Sequence, residues 1–288
     1  MKHMVLFGSL LIAILGCAKQ EEAASQASVA AVPEPVEATQ IESATVEPDA
    51  YYEYLWCEQG EDYSQESMAE LTNNWNSVID GMDAPDLAAF GYLPRGWETE
   101  SYDGLWVLRW NSKADSDAGW EACAASEACA SHEAKFASVL TCGDEVGVNR
   151  FGFNSFVPQP VPETFTGDPA PYYLTNMFCS YNEGKGPADL RAWGTDSYLP
   201  MLSEGAEENP ESSYWFMVGG PDFEVNEENP FDFNWLNYWQ TAEEGEAASA
   251  AFAASEEGQA MRASFDEVAT CQDPQPWDGY LIRRNQAS

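Results

Sequence analysis

The sequence predicts an α+β fold in which one βαββαβ unit is used twice in tandem. Three observations predict it: a gapless internal repeat, the same order of strand and helix signals in both copies, and a matching placement of cysteines. The repeat comes first, because self-similarity at a fixed offset sets architecture before any single motif does. Residues 105–144 and 234–273 align at an offset of 129. Trp106 and Trp110 match Trp235 and Trp239, and Ala124-Ala125-Ser126-Glu127 matches Ala253-Ala254-Ser255-Glu256. Phe136, Val139, Thr141, Cys142 and Asp144 match Phe265, Val268, Thr270, Cys271 and Asp273.

In the first copy, residues 51–57 are dense in aromatics and read as a strand. Met68, Leu71, Trp75, Val78, Ile79 and Met82 then recur at helical spacing. Residues 88–93 are a short apolar run ended by Pro94, and 105–110 form a strand. Trp106, Leu108 and Trp110 share one face of that strand, with Arg109 on the other. A second helical region follows, broken at Ser126, which caps its second half. Residues 146–156 are the last strand. The second copy repeats the order, with strands at 172–179, 213–218, 234–240 and 279–284 and helical regions at 189–202 and 246–269. Gly194 and Pro200 interrupt the first of these helices. Cys57 precedes Trp106 by 49 residues, whereas Cys179 precedes Trp235 by 56. The acidic loop 219–232 is the expected home of the seven extra residues.

A βαββαβ unit is the ferredoxin-like split, with sheet order 4-1-3-2. Residues 50–157 form the first such unit and 172–288 the second, joined by a proline-rich linker at 158–171. That order puts the end of strand one near the start of strand four. Cys57 and Cys142 hold those places in the first unit, and Cys179 and Cys271 hold them in the second. Symmetry and topology therefore both select Cys57–Cys142 and Cys179–Cys271. Cys123 and Cys129 occur only in the first unit, where the second has Phe252 and Gly258, and a pair gained together is expected to bond. These six are an even number, as an oxidising compartment requires.

The seventh cysteine has another role. Met1-Lys2-His3 is a short basic head before the apolar stretch 4–15, too short to span a bilayer. Ile14-Leu15-Gly16-Cys17 resembles the lipobox of bacterial lipoproteins. The resemblance implies that residues 1–16 are a signal peptide and that Cys17 becomes the lipidated N-terminus. Ala18 rather than Asp after it implies sorting to the outer membrane of a Gram-negative cell, facing the periplasm. Acyl chains anchor firmly, at about 0.8 kcal/mol per buried methylene. Residues 17–49 are rich in Ala, Glu, Ser and Pro and lack aromatics, so they cannot offset their ordering entropy and read as a disordered acidic tether.

With 49 acidic residues against 12 Lys and Arg, the formal net charge is −37. Nucleic acid is excluded as a partner, since phosphate binding needs clustered cations. Attraction to anionic lipid head groups is excluded for the same reason. No CxxC or Cys/His ligand spacing, phosphate loop, Ser/His/Asp set or dinucleotide fingerprint occurs, so neither metal nor cofactor is expected. The stretch 222–229 offers oxygen ligands, but Glu227 stands where an EF-hand loop needs glycine.

Both units together resemble the dimeric α+β-barrel superfamily, which includes antibiotic-biosynthesis-monooxygenase-like proteins. Besides the topology, the helix–kink–helix run from Phe252 to Phe265 carries the resemblance. It implies two sheets packed face to face as a pseudo-dimeric barrel within one chain, hence a monomer, with cavities between sheet and helices. Relatives that degrade haem use an Asn from the first strand, a Trp from the third and a His from the second helical region. Trp106 or Trp110 and His132 match two of these in the first unit. Asn176 and Trp235 match two in the second, where Met261 replaces the histidine.

Three functions follow as expectations. The first is a periplasm-facing lipoprotein binding a small apolar or aromatic ligand in a pocket lined by Trp75, Trp106, Trp110, Trp235 and Trp239. The second is a cofactor-independent monooxygenase or isomerase, with His132 as the sole candidate catalytic group. The third is a non-catalytic envelope assembly lipoprotein. A lone histidine on an apolar stripe with Phe136 and Val139 is more often a satisfied core residue than a catalyst, and tryptophans at period two are more often core than pocket. Arg109 could bind an anionic group or neutralise local acid.

Overall fold

The computed structural model describes residues 46–226 and 230–285. The expected signal peptide, the expected lipidation at Cys17 and the expected tether up to residue 45 lie outside them. The first half runs β1 (Ala50–Gln59), α1 (Gln65–Asp80), β2 (Ala88–Pro94), β3 (Gly104–Trp110), α2 (Lys113–Ala124), α3 (Glu127–Phe136), β4 (Leu140–Cys142) and β5 (Arg150–Phe156). The second runs β6 (Tyr172–Tyr181), α4 (Pro187–Trp193), α5 (Leu199–Glu208), β7 (Trp215–Pro221), β8 (Phe233–Trp239), α6 (Ala242–Ala254), α7 (Glu256–Phe265), β9 (Ala269–Cys271) and β10 (Gln275–Arg283). Ser126 caps α3 by accepting the amides of Ala128 and Cys129, and Ser255 caps α7 in the matching place.

The result is a mixed α+β fold around one antiparallel barrel of eight strands. Strand order is β10-β2-β3-β1-β5-β7-β8-β6, and β10 pairs with β6 to close the ring. The expected face-to-face sheets are corrected here. The halves meet edge to edge, Phe156 opposite Val218 across β5–β7 and Gly279 opposite Tyr92 across β10–β2. Pairing both edges satisfies backbone groups that two separate sheets would leave open.

Closure buries both faces of the strands. Ala50, Tyr52 and Tyr54 of β1 point into the barrel, with Val107, Phe153, Leu174, Met217, Leu236 and Tyr238. Tyr51, Leu55 and Cys57 point outward under α1–α3, with Trp106, Leu108 and Trp110. Trp235, Phe233 and Phe216 pack beneath the helices of the second half. The tryptophan rings demand bare helix surface: a side-chain carbon on Gly119 would strike Trp110, and one on Gly245 would strike Tyr173.

All three expected disulfides are present: Cys57–Cys142, Cys179–Cys271 and Cys123–Cys129. Cys142 and Cys271 lie on the short extra strands β4 and β9 rather than on the fourth strand of each unit, and face Cys57 and Cys179 in register. The placement of the seven extra residues is also corrected. Gly91 and Val218 oppose Trp106 and Trp235. Gly91 follows Cys57 by 34 residues and Val218 follows Cys179 by 39, so five of the seven lie before β7. They are absorbed around Gly194–Tyr198, a π-helical stretch joining α4 to α5. A wider turn tolerates Pro200, which lacks an amide hydrogen.

The linker is not a free spacer. Its Phe165 ring plugs one barrel end against Tyr172, Trp215 and Tyr238. Thr164 donates to the Ser212 carbonyl, and the Thr166 amide donates to Gln240. At the opposite end, the β2–β3 connection supplies Trp97 and Tyr102 and the β7–β8 connection supplies Phe223 and Phe231.

Candidate functional site

The linker-covered end of the barrel carries the arrangement with most chemical content. A cavity of about 530 Å³ opens there, lined by Asp49, Tyr52, Arg109, Trp215 and residues 157–161. Its position follows from strand polarity: β1 and β7 begin at this end, and β3 and β5 finish there. Alternation along β3 sends Trp110 outward and Arg109 to the lumen side, beside Tyr52.

The polar groups around this cavity are mostly donors. Arg109 faces the hydroxyl of Tyr52, which is 5% exposed. Burial raises the pKa of that phenol, and the guanidinium works against the rise. Six other cations are ion-paired: Arg95, Lys113, Lys135, Arg150, Lys185 and Arg283. Among the described residues, no carboxylate stands within 4.0 Å of Arg109. Asp49 lines the same cavity, but its Oδ2 accepts the Val157 amide at 2.8 Å. Trp215 is 7% exposed, lies flat on Tyr238 with ring centroids 4.0 Å apart, and its indole Nε1 has no hydrogen-bond partner.

The five tryptophans expected to line a pocket stand elsewhere. Trp75 packs edge-on against Trp106, and Trp235 stacks on Phe216 at 4.7 Å. Trp110 donates to Glu53 at 2.9 Å, while Trp239 packs against Tyr173 and Tyr214. None of the five lines this cavity or the other one described below. Glu53, 4% exposed, is the polar anchor of the first half. Its Oε2 accepts Trp110, Ser116 and Trp120 at 2.8–2.9 Å, and Arg150 approaches Oε1 at 3.6 Å. A second cavity, about 570 Å³, is lined by Val146, Gly147 and residues 222–226 of the acidic loop. Residues 227–229 of that loop lie outside the described residues. Among the described residues, no group of three or more His, Cys, Asp or Glu is arranged to hold a metal.

His132 is half-buried between α1 and α3. Its Nδ1 lies 2.8 Å from Asn74 Oδ1, and its ring rests on Phe136. Burial, then Lys135, lowers its pKa. It lines neither cavity. The residues likewise do not fit haem. Asn176 continues the lumen face of β6 from Leu174, whereas Trp235 faces the helices. The space over Trp235 is filled by Trp193, Tyr198, Phe216 and Phe265. Tyr214 and Trp235 both donate to Asn237 there, closing the polar groups on one another.

Several solved structures align with most of the chain. A doubly substituted chlorite dismutase from Candidatus Nitrospira defluvii aligns at 12% identity and TM-score 0.45, over 82% of this chain and 94% of that one. The same enzyme in complex with imidazole aligns at 12% and 0.45, over 82% and 92%. A protein from Lactobacillus acidophilus NCFM assigned as a monooxygenase aligns at 8% and 0.46, over 82% and 95%. At these scores the likenesses carry no activity to this chain. No protein-family model and no curated protein matches the sequence.

Proposed function

We propose that this chain is a lipoprotein, anchored through Cys17 to the periplasmic side of the outer membrane, whose barrel binds a small apolar or aromatic molecule at the linker-covered mouth. One observation carries the binding reading: the cavity beside Arg109 combines aromatic walls from Tyr52 and Trp215 with apolar cover from Val157, Pro158, Pro160 and Val161. A volume of about 530 Å³ suits a one- or two-ring compound. We read each half as a ferredoxin-like unit, since β2-β3-β1-β5 and β7-β8-β6-β10 follow the 4-1-3-2 order reversed. A single chain closing both seams supports a monomer. No helix among the described residues is long and apolar enough to cross a membrane, so the anchor assigned to Cys17 is what would hold the domain there.

The test is a tryptophan-fluorescence titration with naphthalene derivatives. Trp215 lies in the cavity wall, so binding should change emission saturably. Val157→Trp should fill the space and remove that response while leaving the circular dichroism spectrum intact. No saturable change in the native protein, or an unchanged one in Val157→Trp, would contradict the assignment.

A further inference from the structure

We infer that the ligand of the barrel mouth is an anion: a small aromatic carboxylate or a similar acid, its charged group held by Arg109 and the indole N–H of Trp215. The inference rests on the binding reading above and names the class of molecule it admits.

Two independent observations point the same way. Arg109 has no carboxylate within 4.0 Å among the described residues, although the chain has 49 acidic residues. Among the described residues Arg191, Arg262 and Arg284 also lack an ion pair, but they are exposed, whereas Arg109 is half-buried and lines the cavity. Trp215 lines the same cavity, and its Nε1, shut off from solvent like that of Trp239, has no protein acceptor. A buried donor left unmade costs free energy, so such donors are normally satisfied by something. Indole is a donor only, and guanidinium is a donor only. A ligand that answers both must present acceptor oxygens, and a planar carboxylate matches the guanidinium fork. The flat faces of Tyr52 and Trp215, with the prolines of the linker, would hold the ring that bears it.

Two features oppose an anion. Asp49 shares the cavity wall, but one of its oxygens is already held by the Val157 amide. The net charge of −37 repels any acid at long range. At physiological ionic strength the Debye length is about 8 Å, so distant carboxylates are largely screened and the local donors decide. The same net charge should slow association at low salt.

The experiment compares 1-naphthoate, 1-naphthamide and 1-naphthylmethylammonium by isothermal titration against the native protein, Arg109→Gln, Arg109→Lys and Trp215→Phe. Naphthoate should bind at least about tenfold more tightly than the amide, and the ammonium weakest of the three. Arg109→Gln should remove that preference, a loss of about tenfold or more for one charge-assisted hydrogen bond. Arg109→Lys should retain part of it, and Trp215→Phe should weaken naphthoate more than naphthamide. Equal binding of acid and amide, unaltered in Arg109→Gln, would overturn the anion assignment and leave the cavity as an apolar site. Failure of all three probes to bind would overturn the binding reading together with this inference.

Discussion

At the scale of single residues, the lumen is unusual for its phenols. Tyr54, Tyr92, Tyr172 and Tyr238 are all buried, and the Tyr92 and Tyr238 hydroxyls lie 3.3 Å apart. The Tyr54 hydroxyl faces Asn234 without reaching hydrogen-bond geometry. Burial raises the pKa of all four phenols, and for Tyr54, Tyr172 and Tyr238 neighbouring tyrosines add to the rise. Tyr198, under the helices of the second half, is pushed up to about 12. The neutral phenol is thus favoured by the fold. Its stabilising effect is complete below the unfolded tyrosine pKa of about 10 and is lost as pH rises toward the folded value. An alkaline titration of phenolate absorbance should therefore show these tyrosines ionising late and together with loss of the fold. Their smooth ionisation near pH 10, with circular dichroism unchanged, would contradict the packed lumen.

Much at this scale was legible in the sequence. Period two put Trp106 and Trp110 on one face and Arg109 on the other, as observed. The role assigned to the tryptophans was not legible, because pattern does not say which buried face is open to solvent. Both faces of the strands that carry these tryptophans are covered here, by lumen or by helices. That Arg109 and Trp215 line one cavity was hidden because they come from different halves and share a wall only when the barrel closes. Glu53 was invisible as well: its partners Trp110, Ser116, Trp120 and Arg150 are up to 97 residues away in sequence.

At the scale of elements, caps and breaks read well and insertions did not. Ser126 ended α2 and began α3 as its side chain dictates. Gly194 and Pro200 were read as interruptions, yet the backbone passes them by widening to a π-helical stretch between α4 and α5. The cysteine pairs were legible because the repeat places them alike. The strands that carry Cys142 and Cys271 were missed, since three residues give no period to detect. Each of these two bonds ties the end of the first strand of its half to a short strand beside it, closing separations of 85 and 92 residues. Replacing Cys57 and Cys142 by Ser should cost about 4.5 kcal/mol in the chain-entropy picture. Denaturant unfolding of the double variant measures it, and a loss under about 1 kcal/mol would show that the bond restrains nothing the barrel does not already hold.

At the scale of the whole molecule, one chain forms a ring whose seams are β5–β7 and β10–β2. The linker between the halves covers the mouth that those seams create, so the connection and the candidate site are one structure. Arg95 and Arg283 cross between halves, pairing with Asp278 and Asp80. The interior opposite the mouth is packed with aromatic rings, and the helix-side space is filled, which leaves the mouth as the candidate with a cation, an unused donor and aromatic walls together. The most direct measurement of that claim is native mass spectrometry of the protein isolated from its own cells without refolding. The account predicts a population heavier than the ligand-free chain by one small organic acid, released by acid or denaturant and absent from Arg109→Gln. A single species at the mass of the ligand-free chain, with no bound acid in either native protein or variant, would contradict it.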